Sequence, residues 1–207
     1  MKNTRKEDWR NQTLVNRVNA DFTIATEYYN LVQFVVENYT QRFEVIQNPL
    51  LHIMSHCIEL RYKDTLLFAI ENYPNCAFTK ESLIHSHDLG DLCVKFVDLC
   101  GIILNDTNIS DDDKALISQT IITNNQKLTD MLQANATSYR YANVLSRKGE
   151  VKGKGSPIST DEESPNIKEI YPLFTDCNTS IVYIIYMIEN LKAYRGSLKG
   201  EDDNINI

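Results

Sequence analysis

The segment LLHIMSHCIELRYKDTLLFAI, residues 50–70, constrains the fold of this chain more than any other stretch. When residues 50–72 are placed on a helix, apolar side chains cover more than half of its circumference. A helix that is apolar over so much of its surface must be covered by neighbours on several sides. The sequence therefore predicts a central helix of a bundle, which starts near Asn48-Pro49 and ends at Tyr73-Pro74-Asn75.

The remainder of the chain also favours helices. The 207 residues include only seven glycines and five prolines, and apolar residues recur in steps of three and four. Together with the central helix, this pattern predicts an all-α bundle of five to six helices. The other predicted helices cover 8–43 as one rod or two, 80–85 with Thr79 as cap, the stretch through LGDLCVKFVDLC to about Leu104, Ser110 to about Gln133, and Thr175 or Asp176 to about Tyr194.

One segment differs from the rest in composition. Residues 146–166 contain three of the seven glycines and two of the five prolines, with alternating charges and almost no apolar side chains. This composition is typical of a long flexible insertion or a small surface hairpin before the last helix. We predict an N-terminal helical region at 1–45, a bundle at 46–195 that includes the insertion, and a disordered tail at 196–207.

Charge and cysteine usage limit the class of protein. The net charge of −7 argues against broad electrostatic binding to nucleic acid, but it allows one local basic pocket. No apolar run reaches the ~18 residues of a membrane span, and MKNTRKEDWR lacks the apolar part of a signal peptide. The five cysteines form no CxxC pair. We therefore predict a cytoplasmic protein with reduced thiols, without a membrane partner and without a cofactor.

Three polar residues share one face of the predicted central helix. His56, Glu59 and Lys63 follow one another at i, i+3 and i+7, whereas Arg61 points to another side. Glu59 and Lys63 form an i, i+4 pair in the favourable order, which is typical of an exposed helix surface. The alternative interpretation is that this polar strip faces a cleft between helices and binds a ligand.

The spacing of the four histidines bears on whether the chain binds a metal ion. His52 and His56 stand at i and i+4, and His85 and His87 supply further imidazoles, but no acidic partner has matching spacing. An HxxxH spacing without the acid of an HExxH motif is not specific, so we predict no metal site. In the SHDL stretch, Asp88 complements the dipole at a helix start. His87 beside it is either a buried histidine with a satisfied partner or a group that exchanges protons in catalysis.

A third polar cluster is SYRYAN, residues 138–143. Arg140 stands between two tyrosines, one of which is Tyr141, so a guanidinium can be presented beside aromatic rings. Such a group suits a phosphate or a base. The alternative is that Arg140 pairs with a carboxylate on the surface, and the sequence leaves both interpretations open.

Together these motifs resemble the HEPN superfamily of prokaryotic helical domains. HCIELRYKDTLL (56–67) is similar to that family's central helix, HDLGDLCVKF (87–96) to its His-Asp-Leu helix start, and Arg140-Tyr141 to an element before its last helix. The resemblance covers residues 45–195. It implies a bundle of antiparallel helices, a two-fold dimer and, in active members, a metal-independent ribonuclease with an R-x(4–6)-H motif. No arginine precedes any histidine here by five to seven positions, so that motif is absent.

Three functional hypotheses follow. The first is a HEPN-like binding or assembly module, a homodimer in a bacterial defence or toxin–antitoxin-like system, which binds RNA, a nucleotide or a protein partner. The second is a metal-independent endoribonuclease with a rearranged site, and the third is a purely structural interaction protein. The candidate catalytic residues are His56, Arg61, His87 and Arg140; the candidate binding residues are His56, Glu59, Lys63, His87, Asp88, Arg140 and Tyr141.

Overall fold

Helices make up most of the structure, a computed structural model that describes residues 20–39, 47–73, 76, 78–133, 143–145, 151–154 and 167–202. A π-helical turn, Ile117–Ile121, joins two of the helices into one continuous rod. Counted with that rod as one, the described ranges contain six helices, which confirms the all-α bundle. The helices are α1 (Ala20–Asn38), α2 (Gln47–Asn72), α3 (Lys80–Ile84), α4 (Leu89–Leu104), α5 (Asp111–Leu116), α6 (Ile122–Gln133) and α7 (Ile167–Asp202).

Helix α2 is the centre of the bundle, as its apolar circumference predicts. It packs against α1, α4 and α7, and α6 packs against both α4 and α7. Because it has neighbours on several sides, side chains are buried over more than half of its circumference, from Cys57 and Arg61 on one side, through Ile58 and Tyr62, to Glu59 on the other. Burial of this kind contributes roughly 1.5–3 kcal/mol for each large apolar side chain.

Helix α1 covers only part of the predicted helical stretch at 8–43, since residues 8–19 and 40–43 lie outside the described ranges. Ala25 and Val32 are fully buried, and Val32 belongs to the same hydrophobic core as the side chains of α2. Phe34, on another face of α1, is 65% exposed. Helix α1 is therefore attached to the bundle through its Ala25 and Val32 side.

The predicted helix starts are mostly confirmed by their caps. Thr79 caps α3 and accepts a hydrogen bond from the Ser82 amide, while Ser110 caps α5 and accepts from the Asp113 amide. At α4 the cap is Asp88 itself, whose carboxylate accepts from the amides of Gly90 and Asp91. Asp88 thus binds the free N–H groups of the first turn directly as the cap, rather than lying within that turn.

The last helix starts at Ile167, eight residues before Thr175 and nine before Asp176, so the predicted start there was wrong. Thr175 donates its hydroxyl to the Tyr171 carbonyl at 3.0 Å, one turn back within α7, so it does not cap. The helix passes through Pro172 because a buried apolar stripe extends to its first turn. That stripe consists of Ile167, Ile170, Phe174, Cys177, Ile181, Ile184, Ile188 and Leu191.

A two-stranded hairpin precedes α7 in the chain. Strands β1 (Asn143–Leu145) and β2 (Val151–Lys154) pair antiparallel, with Asn143 opposite Lys154 and Val144 opposite Gly153. Strand β2 lies in the predicted insertion, whose residues 146–150 and 155–166 are outside the described ranges.

Helix α7 continues to Asp202, so residues 196–202 are helical where the sequence predicts a disordered tail.

Two further findings concern the cysteines and the possibility of a membrane span. All five cysteines are free thiols, and four of them are buried. Burial raises the pKa of the Cys57 thiol to about 12, which keeps it protonated at neutral pH. Among the helices that the structure describes, none combines the length and apolar character needed to cross a bilayer.

Candidate functional site

Glu59 is a buried carboxylate in the middle of α2, with a side chain only 5% exposed. Its Oε1 accepts hydrogen bonds from Lys63 Nζ at 3.0 Å and from His87 Nδ1 at 2.9 Å. His56 Nδ1 lies 3.6 Å from the other oxygen, Oε2, which is a longer ion-pair contact. We call these four residues, His56, Glu59, Lys63 and His87, the Glu59 cluster.

The helical period of α2 supplies three members of the cluster. His56, Glu59 and Lys63 lie within two turns on one face, as their spacing predicts. His87 comes from the segment between α3 and α4, where its two neighbours are both anchored. Asp88 caps α4, and Ser86 donates its hydroxyl to Asp91 at 2.9 Å. The fixed start of α4 therefore brings His87 to α2.

The electrostatics of the cluster favour an ionised carboxylate. Burial by itself raises the pKa of Glu59, because it penalises the charged form. The contacts with His56, His87 and Lys63, together with the positive charge of Lys63, outweigh that effect and lower the pKa to about 2. Glu59 is therefore a buried anion at every physiological pH, compensated by nitrogen groups around it.

Exposure increases from the carboxylate outward. The side chain of Lys63 is 14% exposed, that of His56 37% and that of His87 70%. Because each imidazole turns Nδ1 toward Glu59, its other ring nitrogen, Nε2, points away from the carboxylate. A carboxylate that orients an imidazole in this way fixes which nitrogen is available for a ligand or for proton exchange.

One residue at this site was not identified from the sequence as functional. Tyr28 of α1 packs edge-to-face on His56, with ring centroids 5.0 Å apart and an interplanar angle of 77°. The sequence shows Tyr28 only as one more apolar position in a helical pattern. No signal in the sequence connects it to His56, because the contact arises only when α1 packs on α2.

Arg61 lies away from the Glu59 cluster. It is 3% exposed, its Nε donates to Asn178 Oδ1 of α7 at 2.8 Å, and its Nη2 donates to Thr26 Oγ1 of α1 at 3.0 Å. Two residues along a helix correspond to a rotation of about 200°, so Arg61 and Glu59 face nearly opposite directions. Arg61 therefore connects three helices and is not placed to hold a phosphate at the cluster.

The other candidate residues are distributed as follows. Asp88 caps α4 and also accepts a hydrogen bond from Gln133 Nε2 at 2.8 Å. Arg140 and Tyr141 lie outside the described ranges, so their relation to the cluster is a prediction only. In the part of the chain that the structure describes, no group of three or more histidine, cysteine, aspartate or glutamate side chains is arranged to hold a metal ion.

Comparison with known proteins gives no match of any kind. No protein-family model, no curated protein and no solved structure matches this chain.

Proposed function

We propose that the chain is a HEPN-like helical binding module whose Glu59 cluster binds a phosphate group of RNA or of a nucleotide. The observation that carries this proposal is the contact between His87 and Glu59. The two motifs on which the HEPN resemblance rests, HCIELRYKDTLL and HDLGDLCVKF, are separate in the sequence, and that contact joins them in one cluster.

The chemistry of the cluster supports a phosphate ligand. Glu59 is already compensated by Lys63 and His87, so His56 and His87 are free to present their Nε2 atoms to a second anion. Imidazoles gain a proton readily near neutral pH, and a charged N–H donor binds a phosphate oxygen strongly. The two imidazoles reach the surface, which gives an incoming ligand access.

The test measures binding of a fluorescein-labelled single-stranded RNA of mixed sequence by anisotropy at low salt. His87→Ala should weaken binding about tenfold, the loss of one charge-assisted hydrogen bond of ~1.4 kcal/mol. His85→Ala is the matched control, because His85 is exposed at the end of α3 and has no contact with Glu59 among those described. Equal affinity of the two variants, or no binding by the wild type, would contradict the proposal.

A second candidate function is favoured by the pair of imidazoles at one carboxylate. RNA cleavage without a metal requires a base, an acid and a cation, which His56, His87 and Lys63 could supply in place of the missing motif. We would incubate the purified protein with RNA in the presence of EDTA. Cleavage that His56→Ala and His87→Ala both abolish, at unchanged melting temperature, would show a rearranged ribonuclease; its absence leaves the binding module.

The same proposal includes the cellular setting of the protein and its oligomeric state. The resemblance implies a two-fold dimer in a bacterial defence system, and the free cysteines suit the reducing cytoplasm. Leu31 and Phe34, which are 44% and 65% exposed on α1, supply apolar surface for a second copy. Light scattering should give twice the mass of the chain for the wild type and the monomer mass for Phe34→Asp.

A further inference from the structure

A groove between α4 and α6, which shares no lining residue with the Glu59 cluster, is large enough for a small molecule. Its volume is about 420 Å³, which falls within the usual range of ligand pockets. Cys93 and Thr129 line its buried end, Val94 and Val97 form one wall, and Asp130 and Gln133 lie at its rim.

The buried end of the groove is held in place by hydrogen bonds. The hydroxyl of Tyr62, a fully buried residue of α2, lies 3.2 Å from Thr129 Oγ1 and 3.6 Å from Cys93 Sγ. The same hydroxyl donates to Asn125 Oδ1 at 3.1 Å, and Asn125 in turn donates to the Ile121 carbonyl. A satisfied buried network of this kind fixes the side chains that belong to it.

The rim of the groove is fixed as well. Gln133 Nε2 donates to Asp88 Oδ1 at 2.8 Å, which ties the end of α6 to the start of α4. This tie depends on Gly90, because a Cβ atom at that position would lie 2.7 Å from the amide of Gln133. The groove is therefore formed before any ligand arrives, and a ligand would meet little cost in ordering it.

The charge of the lining selects the ligand. Of the described residues that line the groove, Asp130 alone is charged, and it is exposed at the rim. An anion would be repelled by this carboxylate, whereas a cation would be attracted to it. Val94 and Val97 offer apolar surface next to it, and Val94 is 60% exposed. We propose that the α4–α6 groove binds a small organic ammonium ion with a short apolar stem, its charge on Asp130 and its stem on the two valines.

The test uses n-butylammonium as the probe and butan-1-ol as its uncharged counterpart. Backbone amide chemical shifts of the full chain are followed by NMR during each titration at low ionic strength. We expect saturable shifts at residues of α4 and α6 with n-butylammonium and weaker ones with the alcohol. Asp130→Asn should weaken n-butylammonium binding about fivefold, the value of an exposed ion pair of ~1 kcal/mol.

Two further variants separate this site from general attraction of cations to an acidic protein. Asp98→Asn removes an exposed carboxylate of α4 that does not line the groove, and it should leave binding unchanged. Val94→Trp fills the groove from an exposed position and should abolish the shifts. The proposal is overturned if Asp98→Asn weakens binding as much as Asp130→Asn, if Val94→Trp binds normally while folded, if the alcohol binds as tightly as the ammonium ion, or if the wild type shows no saturable shift.

Discussion

His87 Nδ1 lies 2.9 Å from Oε1 of Glu59, although 28 residues separate the two in the chain. The contact joins the segment before α4 to the middle of α2, and it places an exposed imidazole on a buried carboxylate. Since Lys63 and His56 approach the same carboxylate, one buried charge organises three nitrogen groups. Glu59 is therefore the residue that connects the other three members of the cluster.

Replacing Glu59 with glutamine should lower the free energy of unfolding at neutral pH by about 1–3 kcal/mol, because the amide is a weaker acceptor for Lys63 and His87. The pKa of Glu59 is about 2 in the folded protein, against an ordinary value of 4.5. Its carboxylate therefore contributes its full stabilisation above about pH 4.5 and loses it as the pH falls towards 2. Urea unfolding between pH 7 and pH 3 should show a difference between wild type and Glu59→Gln that shrinks with falling pH.

The control for this measurement is Glu189→Gln, since Glu189 is an exposed residue of α7. Its difference from the wild type should stay near zero over the whole pH range. A Glu59→Gln difference that is constant from pH 7 to pH 3 would contradict the lowered pKa.

Two lysines that each pair with a glutamate should differ in their importance. Lys63→Met should lower the free energy of unfolding by about 1–3 kcal/mol, because it removes a partner from a buried carboxylate. Lys80 pairs with Glu71 on the surface, where the two side chains are 50% and 57% exposed, so Lys80→Met should leave stability unchanged within error. Thermal unfolding followed by circular dichroism compares them directly, and equal effects would mean that burial of Glu59 is unimportant.

Arg61 should prove to be a structural residue. Arg61→Leu leaves Asn178 and Thr26 without their guanidinium partner and should cost about 2–3 kcal/mol in the free energy of unfolding. RNA affinity of the folded fraction should not change, because Arg61 faces away from the Glu59 cluster. His87→Ala should weaken RNA binding by the folded fraction, and it should cost less stability than Lys63→Met, because the His87 side chain is 70% exposed and water can take its place at Glu59. Loss of RNA affinity in correctly folded Arg61→Leu would place Arg61 at the site after all.

Substitutions at a helix cap and inside a helix should differ in their effect on the free energy of unfolding. Ser110→Ala removes the cap of α5 and should lower the free energy of unfolding by about 1 kcal/mol. Thr175→Ala should change it by less than about 0.5 kcal/mol, because Thr175 lies inside α7 and bonds only to the preceding turn. Chemical unfolding of the two variants under the same conditions measures both. A cost of about 1 kcal/mol at Thr175 would instead indicate a helix start there.

Local patterns in the sequence were enough to predict most of the described helices and part of the site. The apolar circumference of residues 50–72 predicted the central helix, and the i, i+3, i+7 spacing placed His56, Glu59 and Lys63 on one face. Both predictions depend only on the helical period, which is set by backbone geometry and therefore holds before any tertiary contact forms. The cap at Ser110 followed in the same way, from the hydrogen-bond needs of a helix end.

The tertiary structure decided what those local patterns leave open. The spacing on α2 is compatible with an exposed Glu59–Lys63 pair. Only the packing of α1 and α4 on α2 brings Tyr28 against His56 and His87 to the buried Glu59 carboxylate. The start of α7 was decided in the same way: the burial of Ile167 and Ile170 extends the helix through Pro172, against the local preference for a start at Thr175. The sequence by itself determined which residues share a helix face. Contacts between distant segments decided which of those faces lies in the core, which contacts another helix and which lines the candidate site. The free energy of burial in such contacts outweighs local propensities.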